Sequence, residues 1–156
     1  MAEPVSLPQR GGCACGALRY ALTAAPLLAY ACHCHGCQTR SGAAFSLTLV
    51  ARSAGFEANG EPEVRRREIS GGRTVEQMVC PSCGVHVWSR RPDAAEFMSL
   101  KAGTLDDAGW VVPVAQTWLE SAIPWAVIPG VRHVGWADFD FVALGQDWQA
   151  TAPRFA

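Results

Sequence analysis

Seven cysteines carry the chemistry of this chain, and they fall in three places. The densest is Cys32-His33-Cys34-His35-Gly36-Cys37, three thiols and two imidazoles in six residues. Cys13-Ala14-Cys15 precedes it and Cys80-Pro81-Ser82-Cys83-Gly84 follows it. Thiolates are soft metal ligands and strong nucleophiles, so clusters of this kind serve metal binding or thiol chemistry. In an extended strand, residues i and i+2 point to one side, which lets a C-x-C pair offer both sulfurs to one ion. Cys80 and Cys83 form a tight knuckle, with Pro81 setting the turn and Gly84 relieving strain behind it. A closed structural zinc site takes four ligands, and a catalytic one takes three with a position left open.

Seven thiols divide naturally into four plus three. Cys13, Cys15, Cys80 and Cys83 make one set, and Cys32, Cys34 and Cys37 the other. Spacing leaves two rival partitions open. One puts Cys13, Cys15, Cys32 and Cys34 on a single ion. The other recruits His33 or His35 to close the central site, which would make it structural. His33 alternates with two candidate ligands, so an extended strand would turn it away from them. His86 reads as a packing or surface histidine. Trp118 and Trp125 are candidates to line a pocket, although most of the six tryptophans are expected in the core.

These residues need short elements to position them. Ala17 to Leu22 and Leu27 to Cys32 read as strands, the second delivering the central cluster. Gln38 to Gly42 is one helical turn or a loop. Ala43 to Ala51 is strand-like, Glu63 to Ser70 alternates as an exposed strand, and Gly71-Gly72 marks a hairpin turn. Val75 to Val79 and Val85 to Ser89 flank the knuckle. Phe97 to Lys101 reads as a strand, and Val111 to Leu119 as another entered through Pro113. No periodic helix longer than about two turns is visible, and turn signals recur often, so the expectation is a mainly β fold of antiparallel sheets with zinc knuckles and little helix. Residues 1–9 are expected to be a flexible leader, 10–135 the zinc-binding domain, and 136–156 a C-terminal wrapping segment with little regular structure.

With 156 residues, 49% hydrophobic and 17% charged, the chain is long enough for one packed core. Its net charge of −1 argues against a general polyanion binder, so no nucleic acid is expected. Arg65-Arg66-Arg67, bracketed by Glu61, Glu63 and Glu68, reads as a solvated strand face. The N-terminus has no apolar signal core, and no run approaches the ~20 apolar residues of a membrane span. The expectation is a cytoplasmic protein with no membrane partner, where clustered cysteines are more often ligands than disulfides.

The motifs taken together resemble the glutathione-dependent formaldehyde-activating enzyme family, whose domain is also described as CENP-V/GFA. The resemblance is carried by Gly12-Cys13-Ala14-Cys15-Gly16-Ala17, by Cys32 to Cys37 with Ser41-Gly42 and Phe45, and by Cys80-Pro81-Ser82-Cys83-Gly84. Gly103-Thr104-Leu105-Asp106-Asp107 and the stretch ending at Trp125 also fit, so it spans Arg10 to Gly130. It implies an Mss4-like fold and two Zn²⁺ per chain. The structural zinc would sit on Cys13, Cys15, Cys80 and Cys83, and the catalytic zinc on Cys32, Cys34 and Cys37. It implies a carbon–sulfur lyase that forms or cleaves an adduct between a thiol such as glutathione and a small aldehyde. Where many relatives have a histidine opening the late strand, this chain has Gln116, which bears on substrate specificity. Arg40, Ser41 and Gly42 are the sequence neighbours expected to stabilise charge and bind substrate at the central site. A non-enzymatic zinc-stabilised interaction module is the alternative, and a thiol redox sensor a third reading.

Overall fold

Short runs of alternating apolar and polar side chains, cut by glycine and proline, form strands rather than helices here. In the computed structural model, whose described residues are 4–69 and 71–156, the strands are β1 (Gln9–Gly12), β2 (Arg19–Leu22), β3 (Leu28–Cys32), β4 (Ser46–Arg52), β5 (Phe56–Asn59), β6 (Glu63–Ile69), β7 (Arg73–Val79), β8 (His86–Arg90), β9 (Phe97–Lys101), β10 (Ala115–Thr117) and β11 (Arg132–His133). Helix α1 covers His35–Ser41 and α2 covers Phe141–Thr151. The mainly β expectation holds.

The strands make two sheets. The smaller has the order β1-β2-β5, and the larger β11-β10-β3-β4-β9-β8-β7-β6. Neighbours are antiparallel except β10, which runs parallel to both β3 and β11. The β6–β7 hairpin lies where Gly71-Gly72 predicts it, both glycines holding positive φ; Ser70 lies outside the described residues.

Register assigns each side chain a face. Leu49 opposes Leu100, Leu100 opposes Trp88, and Trp88 opposes Met78. This apolar face meets the smaller sheet, where Phe56 packs against both Tyr20 (5.4 Å) and Trp88 (5.1 Å). The opposite face carries Cys32 opposite Ser46, and Tyr30 opposite Thr48 opposite Lys101. Ser99, Ser89 and Gln77 continue it outward. Such a polar face survives in a sheet only if it lines a cleft or finds partners.

Two expectations need correction. Residues 141–151 form a three-turn helix. Asp140 caps it by accepting from the N–H groups of Val142 and Ala143. Leu144 and Trp148 are buried and α2 packs against β3, each side chain contributing roughly 2 kcal/mol by leaving water. Burial of that stripe, rather than helix propensity, holds this segment. The strand expected over Val111 to Leu119 is only three residues long, because Pro113 and the turn at Trp118 leave few backbone groups free to pair. At the N-terminus, Val5 exchanges backbone hydrogen bonds with Arg154 and Ala156.

Candidate functional site

The outer cysteines converge. Cys13 follows β1 and turns back at once: its N–H bonds Leu18 O at 3.0 Å, and Leu18 N–H donates to its sulfur at 3.2 Å. Gly16, at φ +82°, makes that turn possible. Cys80 and Cys83 sit on the matching turn between β7 and β8, closed by Gly84 N–H on Cys80 O at 2.9 Å with Gly84 at φ +76°. The four sulfurs lie within 4.8 Å of one another. Cys13–Cys15 and Cys15–Cys80 are each 3.6 Å apart, too long for a disulfide at about 2.05 Å. A tetrahedron with metal–sulfur bonds of ~2.3 Å has edges near ~3.8 Å. The spacing and the donor chemistry fit a soft tetrahedral ion.

The inner cysteines converge separately. Cys32 ends β3, Cys34 caps α1 with its sulfur accepting from Cys37 N–H at 3.3 Å, and Cys37 lies in the first turn. Their three sulfurs also lie within 4.8 Å of one another. No histidine nitrogen, carboxylate oxygen or fourth thiol completes this set among the described residues. The set fits an ion held on one side.

His33 is turned away and fully buried, packed on Phe45 at 5.1 Å. Its Nε2 lies 3.2 Å from Gln116 Oε1. Gln116 Nε2 donates to Ile128 O (2.9 Å) and Val131 O (2.8 Å), and its Oε1 accepts from Ile128 N–H (3.0 Å). With both amide protons committed to carbonyls, the oxygen faces His33, which must donate through Nε2. Burial lowers the His33 pKa, against the opposing effect of that hydrogen bond. His35 is exposed.

The inner trio opens into a trough of about 1950 Å³, well beyond the ~300–1,000 Å³ of a fitted small-molecule pocket. Among the cations that border it, Arg40, Arg67 and Lys101 are those that interact with the charge of the trio. Lys101 Nζ donates to Ser46 Oγ at 2.7 Å, beside Cys32. Arg40 folds back over Gly36, where a Cβ would stand 2.9 Å from its Nη2. Arg67 leaves the solvated run expected of it. Arg65 and Arg66 pair with Glu63 and Glu76, whereas Arg67 Nε is buried with no hydrogen-bond partner. These charges act on the thiols. Cys37 falls to about 5, first through its hydrogen bond with Cys32 and then, against burial, through Lys101 and Arg40. That same bond and burial push Cys32 up. Burial also lowers the Lys101 pKa, opposed by Cys37 and Cys32. His86 drops to about 4 through burial and Lys101, and its Nε2 lies 2.7 Å from Ser89 Oγ.

Of the residues expected to bind substrate, Arg40 faces the trio. Ser41 donates to Cys37 O at 2.7 Å, and Gly42 is the left-handed helix cap at φ +62°. Both are used in ending α1, and Ser41 also borders the trough. Sequence reasoning overlooked Lys101, although a signal existed: it is the sole lysine among thirteen Lys and Arg residues. Arg67 had no such mark.

A family model described as glutathione-dependent formaldehyde-activating enzyme matches residues 8–121. A Sordaria macrospora protein, provisionally named a glutathione-dependent formaldehyde-activating enzyme, is 32% identical over 85 residues. That match covers 54% of this chain and 35% of the relative, so the chain spans about a third of that protein's length. A crystal structure of a Rhodobacter sphaeroides protein aligns with 62% of this chain and 87% of its own, at 20% identity and a TM-score of 0.48. With its three cysteine motifs inside the matched span, the chain belongs to the glutathione-dependent formaldehyde-activating enzyme family.

Proposed function

We propose that this protein is a zinc-dependent carbon–sulfur lyase that forms or cleaves a thiol–aldehyde adduct of the S-(hydroxymethyl)glutathione type. The observation that carries the reading is the incomplete donor set of Cys32, Cys34 and Cys37, facing a trough whose bordering cations include Arg40, Arg67 and Lys101. Cys13, Cys15, Cys80 and Cys83 would hold a structural zinc, and the inner trio a catalytic one. When bound there, zinc would supply an open coordination position that favours the thiolate form of an incoming thiol and polarises a carbonyl.

The chain's own residues do the rest. Glutathione carries two carboxylates, and Arg40, Arg67 and Lys101 provide charges to receive them. The same positive field favours substrate sulfur as thiolate. Ser46, Thr48, Ser89 and Gln77, all buried on the trough floor, offer hydrogen-bond partners to a peptide-like chain. His86, held neutral in the physiological range, adds no further charge. In the reaction the sulfur electron pair forms a bond to the carbonyl carbon, and the proton lost by the thiol ends on the former carbonyl oxygen. Nothing is oxidised or reduced.

Exchange between free formaldehyde and its glutathione adduct, followed by NMR magnetisation transfer on isotope-labelled formaldehyde, tests the reading. Zinc-loaded wild type is expected to accelerate exchange above the spontaneous rate, and Cys34→Ser to abolish the acceleration. Exchange at the buffer rate in the wild type would sink it.

A further inference from the structure

The trough has two unlike sides. On β4 and β9 the trough presents Ser46, Thr48 and Lys101, with Phe97 at the far end of β9. On the other side lie aromatic rings. Tyr30 shares the face of β3 with Cys32, two residues away. Phe139 meets Tyr30 edge-on at 5.1 Å and touches Phe141 at 4.8 Å. Phe141 and Val142 border the trough while 48% and 72% exposed, leaving apolar surface bare beside it.

Trp118 borders the same trough and carries a second, independent sign. It is the one non-glycine residue at positive φ (+60°) among the described residues, a conformation that costs a bulky side chain roughly 1–3 kcal/mol. The fold holds it there from both sides. Thr117 pairs with Cys32 across β3 and β10, and Gln38 Nε2 bonds His33 O and Ser121 O, each at 2.7 Å. Glycine would relax this position, so the indole stands here at a local backbone cost.

Glutathione accounts for the polar side, since its groups are charged or peptidic. It offers nothing to the aromatic side, and formaldehyde has no substituent to place there. We propose that the second reactant is an aldehyde bearing an aryl or similar hydrophobic substituent, which stacks against Trp118 and the Tyr30–Phe139 wall while its carbonyl carbon meets the thiol at the trio. This inference rests on the thiol–aldehyde reading above. The S–H bond breaks, the sulfur pair forms the S–C bond, the carbonyl π pair moves to oxygen, and the proton joins it as a hemithioacetal.

Two stable thioethers mimic the alternative products: S-methylglutathione for a formaldehyde adduct and S-benzylglutathione for an aryl one. Calorimetric titration of the zinc-loaded protein is expected to give a Kd about tenfold lower for the benzyl compound, the value of one good aromatic contact. Trp118→Gly, whose residue suits the backbone angle, and Phe139→Ala are each expected to cut that ratio below about threefold. Equal affinities in the wild type, or a ratio that neither substitution alters, would overturn the inference. Accelerated formaldehyde exchange without benzyl preference removes this inference alone. A benzyl preference with no acceleration of adduct exchange for formaldehyde or benzaldehyde removes the proposed reaction, and the aldehyde with it.

Discussion

Gln116→Leu tests how the histidine of the central cluster is held away from the trio. The substitution nearly conserves volume but removes every polar contact of the buried amide. It orphans Val131 O, Ile128 N–H and the Nε2–H of His33, while Ile128 O keeps the N–H of Val131 at 3.3 Å. A buried polar group without its partner costs about 1–3 kcal/mol. Three groups at the low end give about 3 kcal/mol, offset by about 1 kcal/mol of added apolar burial. The expected loss is about 2 kcal/mol, which is large because His33 is fully buried and its Nδ1 already lacks a partner. Urea unfolding of the zinc-loaded protein measures it. With a slope of roughly 2 kcal/mol per molar, the midpoint should fall by about 1 M with the slope unchanged. A fall below about 0.3 M would mean that water reaches these groups, and that the tie between β3, β10 and residues 128–131 is not structural.

Three further outcomes follow from the same geometry. His86 has a folded pKa of about 4 against an ordinary value of 6.5, so protons bind the unfolded chain first and stability falls as pH drops from about 6.5 toward 4. The loss attributable to His86 is up to about 3 kcal/mol, and His86→Gln should flatten the pH profile of denaturant midpoints in that window; an unchanged slope contradicts the assignment. Cys80→Ser, at a fully buried position, should lose one zinc per chain and the cooperative thermal transition, whereas Cys34→Ser should lose the other zinc and melt within about 4 °C of wild type, as read by elemental analysis and circular dichroism. Lys101→Met should raise the KM for glutathione about tenfold, with substantial recovery in Lys101→Arg; equal KM values for wild type and Lys101→Met would remove Lys101 from carboxylate binding.

Much of the fold was legible in local pattern. Phe97–Lys101, the hairpin turning at Gly71-Gly72 and the mainly β class all follow from period-two alternation and turn residues, which are properties of neighbouring positions. Helix α2 was legible in principle through the Asp140 cap and the Leu144–Trp148 spacing, but the prolines and glycines around it masked a short amphipathic stripe. The parallel pairing of β10 with β3 was not legible, because it joins residues more than eighty positions apart through a bare three-residue strand.

By itself, the sequence determined the family and the number of sulfur donors, because thiol chemistry and the spacing of C-x-C and C-x-x-C depend only on residues near one another. Tertiary structure alone decided what surrounds those donors. It drew Arg67 from an exposed arginine run, Lys101 from β9 and Trp118 from a strained turn to one trough, and it tied His33, which strand alternation already turns from the trio, to Gln116. Those placements come from sheet register and long-range hydrogen bonds, whose partners are set by the packing of distant strands rather than by any local run of residues.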